Sequence, residues 1–189
     1  SGQELADFGM LDLTYIEQMS PNTTLKVSRG TNTTLTAFIR GVGQQDPVPG
    51  FESGVGIYLD DVYLNRPQAG VMDIYDVERV EVLRGPQGTL YGKNTPGGAI
   101  RLITRTPGDE FEAQAGVLVG DYGRLQARAR VSTPLTDDFA IGLSVLHDER
   151  DGFVTDPLDG REYNDEDTTV ARIKGNWDVT DDVNVVFSA

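Results

Sequence analysis

The sequence predicts an α+β domain, a small mixed sheet with short helices, over residues 1–109, and antiparallel strands of an incomplete transmembrane β-barrel over residues 110–189. Three observations carry the division into these two parts. Short elements of helical and strand period alternate with two glycine-rich stretches in the first part. A strict period of two takes over from Phe111. The charge is also uneven: residues 1–109 hold 13 acidic and 9 basic side chains, and residues 110–189 hold 17 and 7.

Composition narrows the function classes first. The net charge is −14, from 16 Lys+Arg against 30 Asp+Glu, which argues against nucleic acid as a partner because phosphate binding needs clustered cations. The chain has no cysteine, which excludes disulfide frameworks and thiolate metal sites. No apolar run approaches the roughly 18 residues of a membrane-spanning helix, nor does the start read as a signal peptide. Barrel strands escape that test, since each carries only a weak alternating signal.

Taken in order, Gln3 to Met10 and Asp12 to Met19 read as two short helices broken at Gly9. Asp12 stands as N-cap, Leu13, Ile16 and Met19 recur along one face, and Pro21 is the stop. Thr24–Val27 and Leu35–Ile39 are short β-prone runs. Gly41 to Gly54 is a Gly/Pro/Gln-rich loop. Val55 to Leu64 reads as a tight hairpin turning at Asp60-Asp61. Val71 to Tyr75 reads as one helical turn, Glu78 to Leu83 alternates as a strand, Gly85 to Gly98 is the second glycine-rich stretch, and Ala99 to Thr104 is a further strand.

Beyond that, Phe111, Ala113, Ala115, Val117 and Val119 share one face. Leu125, Ala127, Ala129 and Val131 do the same opposite Gln126, Arg128 and Arg130. Phe139, Ile141, Leu143 and Val145 repeat the pattern, as do Ala171, Ile173 and Trp177 opposite Arg172 and Lys174, and Val183, Val185 and Phe187 begin a fifth strand. A soluble sandwich would bury the apolar face, whereas a barrel would turn it to lipid and line its lumen with the polar one. The connections favour the barrel. Thr133–Asp138 and Val179–Asp182 are short and share a Thr-Asp-Asp ending, while the acidic connection Asp148–Asp167 is long, and short inner turns with longer outer loops are the barrel habit.

Catalytic chemistry is thin. His147 is the only histidine and continues the apolar row of Val145 near a strand end, so no histidine metal cluster or Ser-His-Asp triad is expected. Gly50-Phe51-Glu52-Ser53-Gly54 lacks nucleophile-elbow spacing. Gly92-Lys93 is followed by Asn94, which removes the phosphate-loop reading. Asp60-Asp61 reads as turn formers and the acidic connection as a solvated outer loop, without the order of a calcium loop. No catalytic residue, metal ligand or cofactor is expected.

The run ERVEVLRGPQGTLYGKNTPGGAIRLITR (Glu78 to Arg105), with Phe38-Ile39-Arg40-Gly41 and Gly56-Ile57-Tyr58-Leu59-Asp60-Asp61-Val62 upstream, closely resembles the plug domain of TonB-dependent outer-membrane receptors. The resemblance covers nearly all of residues 1–109 in the family's order and runs on into the first barrel strands. It implies active uptake of a scarce nutrient, most commonly a ferric siderophore or similar iron chelate, across the outer membrane of a Gram-negative bacterium, with no bond of the substrate broken. It further implies that the plug gates the lumen and moves when TonB engages a box upstream of residue 1, that outer-membrane lipid surrounds the strands, and that the barrel closes at about 22 strands, so the chain reads as a fragment missing both ends.

On the same resemblance, Arg40 and Arg84 form a clamp between plug and barrel wall, with carboxylate partners beyond residue 189. The alternative is intra-plug pairing with Glu81 as partner. Gly41, Gly85, Pro86, Gly88, Gly92, Gly97 and Gly98 supply the turns that fold the plug back on itself. Gln44 and Gln45, with Asn65, Arg66 and Gln68, lie in substrate-facing loops. Two other functions stay open: a receptor of the same family for a carbohydrate or other organic nutrient, and a soluble periplasmic or secreted binding module.

Overall fold

A computed structural model of the chain, described over residues 2–8, 12–28, 34–45, 52–66 and 75–189, divides into two units, Ser1–Arg105 and Thr106–Ala189. The first opens with α1 (Gly2–Asp7) and a 3₁₀ helix, Leu13–Gln18. The expected second helix is thus present and takes the tighter 3₁₀ form for a plain reason. Leu13 and Ile16 stand three apart, which superposes them at three residues per turn, and both are buried. Asp12 caps this helix from an extended backbone, its carboxylate accepting from the Thr14 amide at 2.7 Å. Of the helical turn expected at Val71–Tyr75, residues 71–74 lie outside the described residues.

Two sheets follow in this unit. β1 (Thr23–Val27), β2 (Leu35–Ile39) and β3 (Val42–Gly43) form an antiparallel three-stranded sheet in that order. A four-stranded mixed sheet joins β4 (Val55–Leu59), β5 (Val62–Tyr63), β6 (Val77–Arg84) and β7 (Gly98–Thr104) in the order β5-β4-β7-β6, with α2 (Gly88–Tyr91) between β6 and β7. β4 and β7 run parallel, Val55 facing Gly98 and Leu59 facing Leu102, while β6 pairs antiparallel with β7. The core gathers Leu13 and Ile16, Leu25, Leu35, Ala37 and Ile39, and Val55, Ile57, Ile100 and Leu102. Each large side chain fully removed from water there contributes about 1.5–3 kcal/mol.

The second unit is a meander of β8 (Glu112–Val119), β9 (Leu125–Thr136), β10 (Phe139–Arg150), β13 (Glu166–Thr180) and β14 (Val183–Ser188), antiparallel throughout. A two-stranded ribbon, β11 (Val154–Thr155) and β12 (Glu162–Tyr163), occupies the long connection. Register sets Ala113, Val131, Leu143 and Ile173 in one transverse row, and Gln114, Arg130, Ser144 and Arg172 in the next. The apolar rows are exposed: Val117 is 73% and Leu143 52% accessible. In the polar row the central residues are covered, Arg130 at 6% and Ser144 at 2% accessible, while Arg172 is half-buried and Gln114 on the outer strand is exposed. This inverts the amphipathicity of a water-soluble sheet. The two short connections are built alike, with Asp138 N and Asp182 N each reaching the threonine hydroxyl two residues back at 3.4 Å.

One expectation is corrected here. Asp148 reads in sequence as the start of the solvated acidic loop, but β10 continues to Arg150 and places Asp148 on the covered face, fully buried. An even separation from Ser144 puts it there by strand alternation.

Candidate functional site

The two arginines of the expected clamp come from separate sheets. β2 ends in the turn Arg40-Gly41, where both residues have positive φ (53° and 80°), the type I′ geometry that matches strand twist. The Arg40 amide donates to Asn22 O at 2.8 Å. β6 ends at Arg84, whose Nη1 donates to Pro21 O at 3.3 Å. Arg40 Nη1 stands 3.9 Å from the point a Cβ would take on Gly85, so both guanidinium groups lie around the Pro21-Asn22 turn and the Arg84-Gly85 corner. Both side chains are exposed, and among the described residues neither forms an ion pair. Glu81 is not their partner: it lies three residues from Arg84 in one strand and so on the opposite face. It is taken instead by Arg79 Nε at 2.8 Å and by Arg101.

The remaining sequence-expected residues are dispersed. Gly41, Gly85, Gly92 and Gly98 have positive φ, Gly97 packs against Val42 O, Gly88 opens α2, and Pro86 is exposed. Gln44 is half-buried and Gln45 exposed after β3. Asn65 and Arg66 are exposed after β5. Gln68 lies outside the described residues. Asp60 and Asp61 do form the hairpin turn, with φ of 46° and 68°. Asp60 also accepts from Thr104 N at 2.8 Å and Thr104 Oγ1 at 2.5 Å, tying the hairpin to the end of β7.

The pairing of β4 with β7 assembles a feature that sequence reading missed. Tyr58, Arg101 and Glu81 lie in one transverse row. Arg101 bridges Glu81 and Asp61 and lies 5.5 Å from the centroid of the Tyr91 ring. Tyr58 donates its hydroxyl proton to Tyr91 O at 2.6 Å, and Asn94 Nδ2 donates to the Tyr63 hydroxyl at 3.0 Å. Tyr58, Tyr63 and Tyr91, with Lys93, Asn94 and Arg101, line a cleft of about 630 Å³. Burial, reinforced by Tyr63 and Tyr91, pushes the Tyr58 phenol up, so it stays a donor at neutral pH. Lys93 pairs with Glu52. Among the described residues no group of His, Asp or Glu could hold a metal ion. Arg101 and Lys93 of the cleft are thus matched by carboxylates, and the Tyr58 and Tyr63 hydroxyls by main-chain and amide partners.

The same ladder has a pH signature. The Arg79 hydrogen bond, helped by the charge of Arg101, holds Glu81 below the usual carboxyl value of 4.5. A depressed folded value means that this stabilisation is complete above 4.5 and disappears as pH falls through the folded value. In Glu81→Gln that component is removed. Its unfolding midpoint, followed by denaturant titration as pH drops below 4.5, is expected to fall less steeply than that of the parent, and parallel curves would refute the role.

Comparison with known proteins adds the family. The model of the TonB-dependent Receptor Plug Domain matches residues 1–99. The pesticin receptor of Yersinia enterocolitica is 29% identical over 164 residues, which are 85% of this chain and 23% of that protein. The ferric-pyoverdine 358 receptor of Pseudomonas putida is 35% identical over 85 residues, 45% of this chain and 10% of that protein. Among solved structures, the ferric yersiniabactin uptake receptor FyuA from Yersinia pestis superposes with a TM-score of 0.87 at 25% identity, covering 100% of this chain and 30% of that one. The chain therefore spans about a quarter of the length of the pesticin and ferric yersiniabactin receptors it matches. With the plug-domain match extending over more than half its residues, this chain belongs to the TonB-dependent receptor family.

Proposed function

We propose that the chain is the plug and the first barrel strands of a transporter in the outer membrane of a Gram-negative bacterium, one that takes up an iron chelate and is driven by TonB. The observation that carries this reading is the inverted sheet of the second unit. Leu143, Val117 and their neighbours are left in the open while Arg130, Ser144, Asp148 and Lys174 are covered, which suits hydrocarbon on one side and a filled lumen on the other. A free-standing soluble module would leave that apolar face in water. The relatives named for ferric yersiniabactin and ferric pyoverdine support the chelate class.

In this reading the chemistry is binding and release. Gln44, Gln45, Asn65, Arg66 and Gln68 offer amide and cationic groups to an anionic chelate, and the plug moves aside under force. The test is uptake of radiolabelled ferric siderophores by cells whose only such receptor is the full-length parent. We expect saturable uptake that needs TonB. A receptor that carries a carbohydrate and no ferric chelate, or one that partitions into buffer without detergent, overturns the reading.

Arg40 and Arg84 hold the plug to the wall in this scheme. Two exposed guanidinium groups at one corner, without ion pairs among the described residues, support that role. A charged hydrogen-bonded pair of this kind is worth about 2 kcal/mol. Arg40→Ala and Arg84→Ala in the full receptor are expected to speed proteolysis of the plug while chelate binding holds. Unchanged proteolysis and uptake in both variants would remove the clamp.

A further inference from the structure

We propose that Pro107 is a fixed anchor that holds the segment Thr106–Gly108 on the polar face of the second unit's sheet, so that any rearrangement of the preceding residues ends at Arg105. The proposal rests on the moving-plug reading above for its purpose, but not for its geometry. Pro107 is almost completely buried, although Thr106 and Gly108 on either side are exposed. Its ring sits over β10 where that strand is stripped of side chain: a Cβ on Gly142 would come within 3.1 Å of Pro107 Cγ.

The notch is framed by its register neighbours, Ser132 on β9 and Lys174 on β13, both buried. Two residue pairs along, on the same face, Asn176 pairs with Ala140, and its Nδ2 donates to Pro107 O at 3.1 Å. A ring with fixed φ in a glycine notch, and a carbonyl held by an amide, immobilise the backbone at little entropic cost because proline has few conformers to lose. Since proline lacks an amide proton, its carbonyl is the main-chain group that needs a partner, and Asn176 supplies it.

The test uses the full-length receptor in detergent, with a spin label at one of two exposed positions. Gly108→Cys suits the anchor because a Cβ there meets nothing within 4 Å, and Met19→Cys reports on the first unit. In a urea series the label at 19 is expected to become mobile first, while the label at 108 stays immobile until the second unit itself unfolds. Gly142→Val, which drives methyl groups into the proline ring, shifts release at 108 down to the midpoint seen at 19. Asn176→Ala shifts it in the same direction by less and keeps the test valid should the valine variant fail to fold. Release at 108 together with 19 in the unaltered receptor, or no shift in the variants, overturns the anchor. Lost chelate uptake in a receptor whose label at 108 behaves as expected would count against the transport reading alone.

Discussion

Gly98→Ala is expected to abolish the fold of the first unit, a loss of about 4 kcal/mol or more and among the largest a single methyl group can cause. Gly98 opens β7, the strand paired on both sides, with Val55 of β4 and Arg84 of β6 as its register partners. Its φ is +145°, a conformation L side chains rarely adopt, and a Cβ would stand 2.1 Å from Leu83 O and 2.9 Å from Ile39 Cδ1. The carbonyl belongs to the neighbouring strand and cannot retreat without breaking the ladder, so sheet register and the Ile39 core contact fail together. Gly88→Ala is the control. A Cβ there meets nothing within 4 Å and the residue opens α2, so the change should lie within about 0.5 kcal/mol of neutral or stabilise slightly. Urea unfolding of the full receptor, followed by a label in the first unit, separates the two. Matching midpoints for Gly98→Ala and the parent would show that β7 tolerates a side chain at its start.

Legibility in the sequence followed the length of the repeating signal. Strands such as Leu125–Thr136 and Phe139–Arg150 announce themselves because many alternating positions agree, and their face assignment survives an error of a residue or two at either end. Elements of two residues, such as β3 and β11, cannot show a period and read as loop. The spacing of Leu13, Ile16 and Met19 was legible as helical, but a uniform step of three is the 3₁₀ period, and that distinction turned on counting rather than on residue type. The tyrosine cleft was out of reach for a different reason. Tyr58 and Arg101 are neighbours only because β4 and β7 pair in parallel, and parallel pairing joins strands whose sequence separation carries no local signature. Arg40 and Arg84 were legible as motif residues, whereas their convergence on Pro21-Asn22 required two separate sheets to end at one corner.

Asp148→Ala in the full receptor is expected to cost about 3–5 kcal/mol, the range for breaking a buried ion pair from one side. Asp148 is inaccessible to solvent and accepts from Arg124 Nε at 3.2 Å, Arg124 Nη2 at 2.5 Å and Gln126 Nε2 at 2.7 Å. Truncation strands a guanidinium and an amide on the covered face, where three donated protons lose their acceptor at once. Glu166 limits the damage. Its carboxylate already stands 4.0 Å from Arg124 Nη2 and can move closer, but it also lies 3.7 Å from Arg150, so a shift toward Arg124 weakens a second pair. Asp148→Asn should fall between parent and alanine, because it keeps the shape and one acceptor while losing the charge. Asp165→Ala, on the exposed connection, removes the same charge from the same acidic segment and should stay within about 0.5 kcal/mol of the parent. Comparing the three by urea unfolding in detergent, with a label on β13, distinguishes burial from bulk acidity. If Asp148→Ala is as mild as Asp165→Ala, the pair on the covered face does not hold the sheet, and net charge alone would account for whatever change remains.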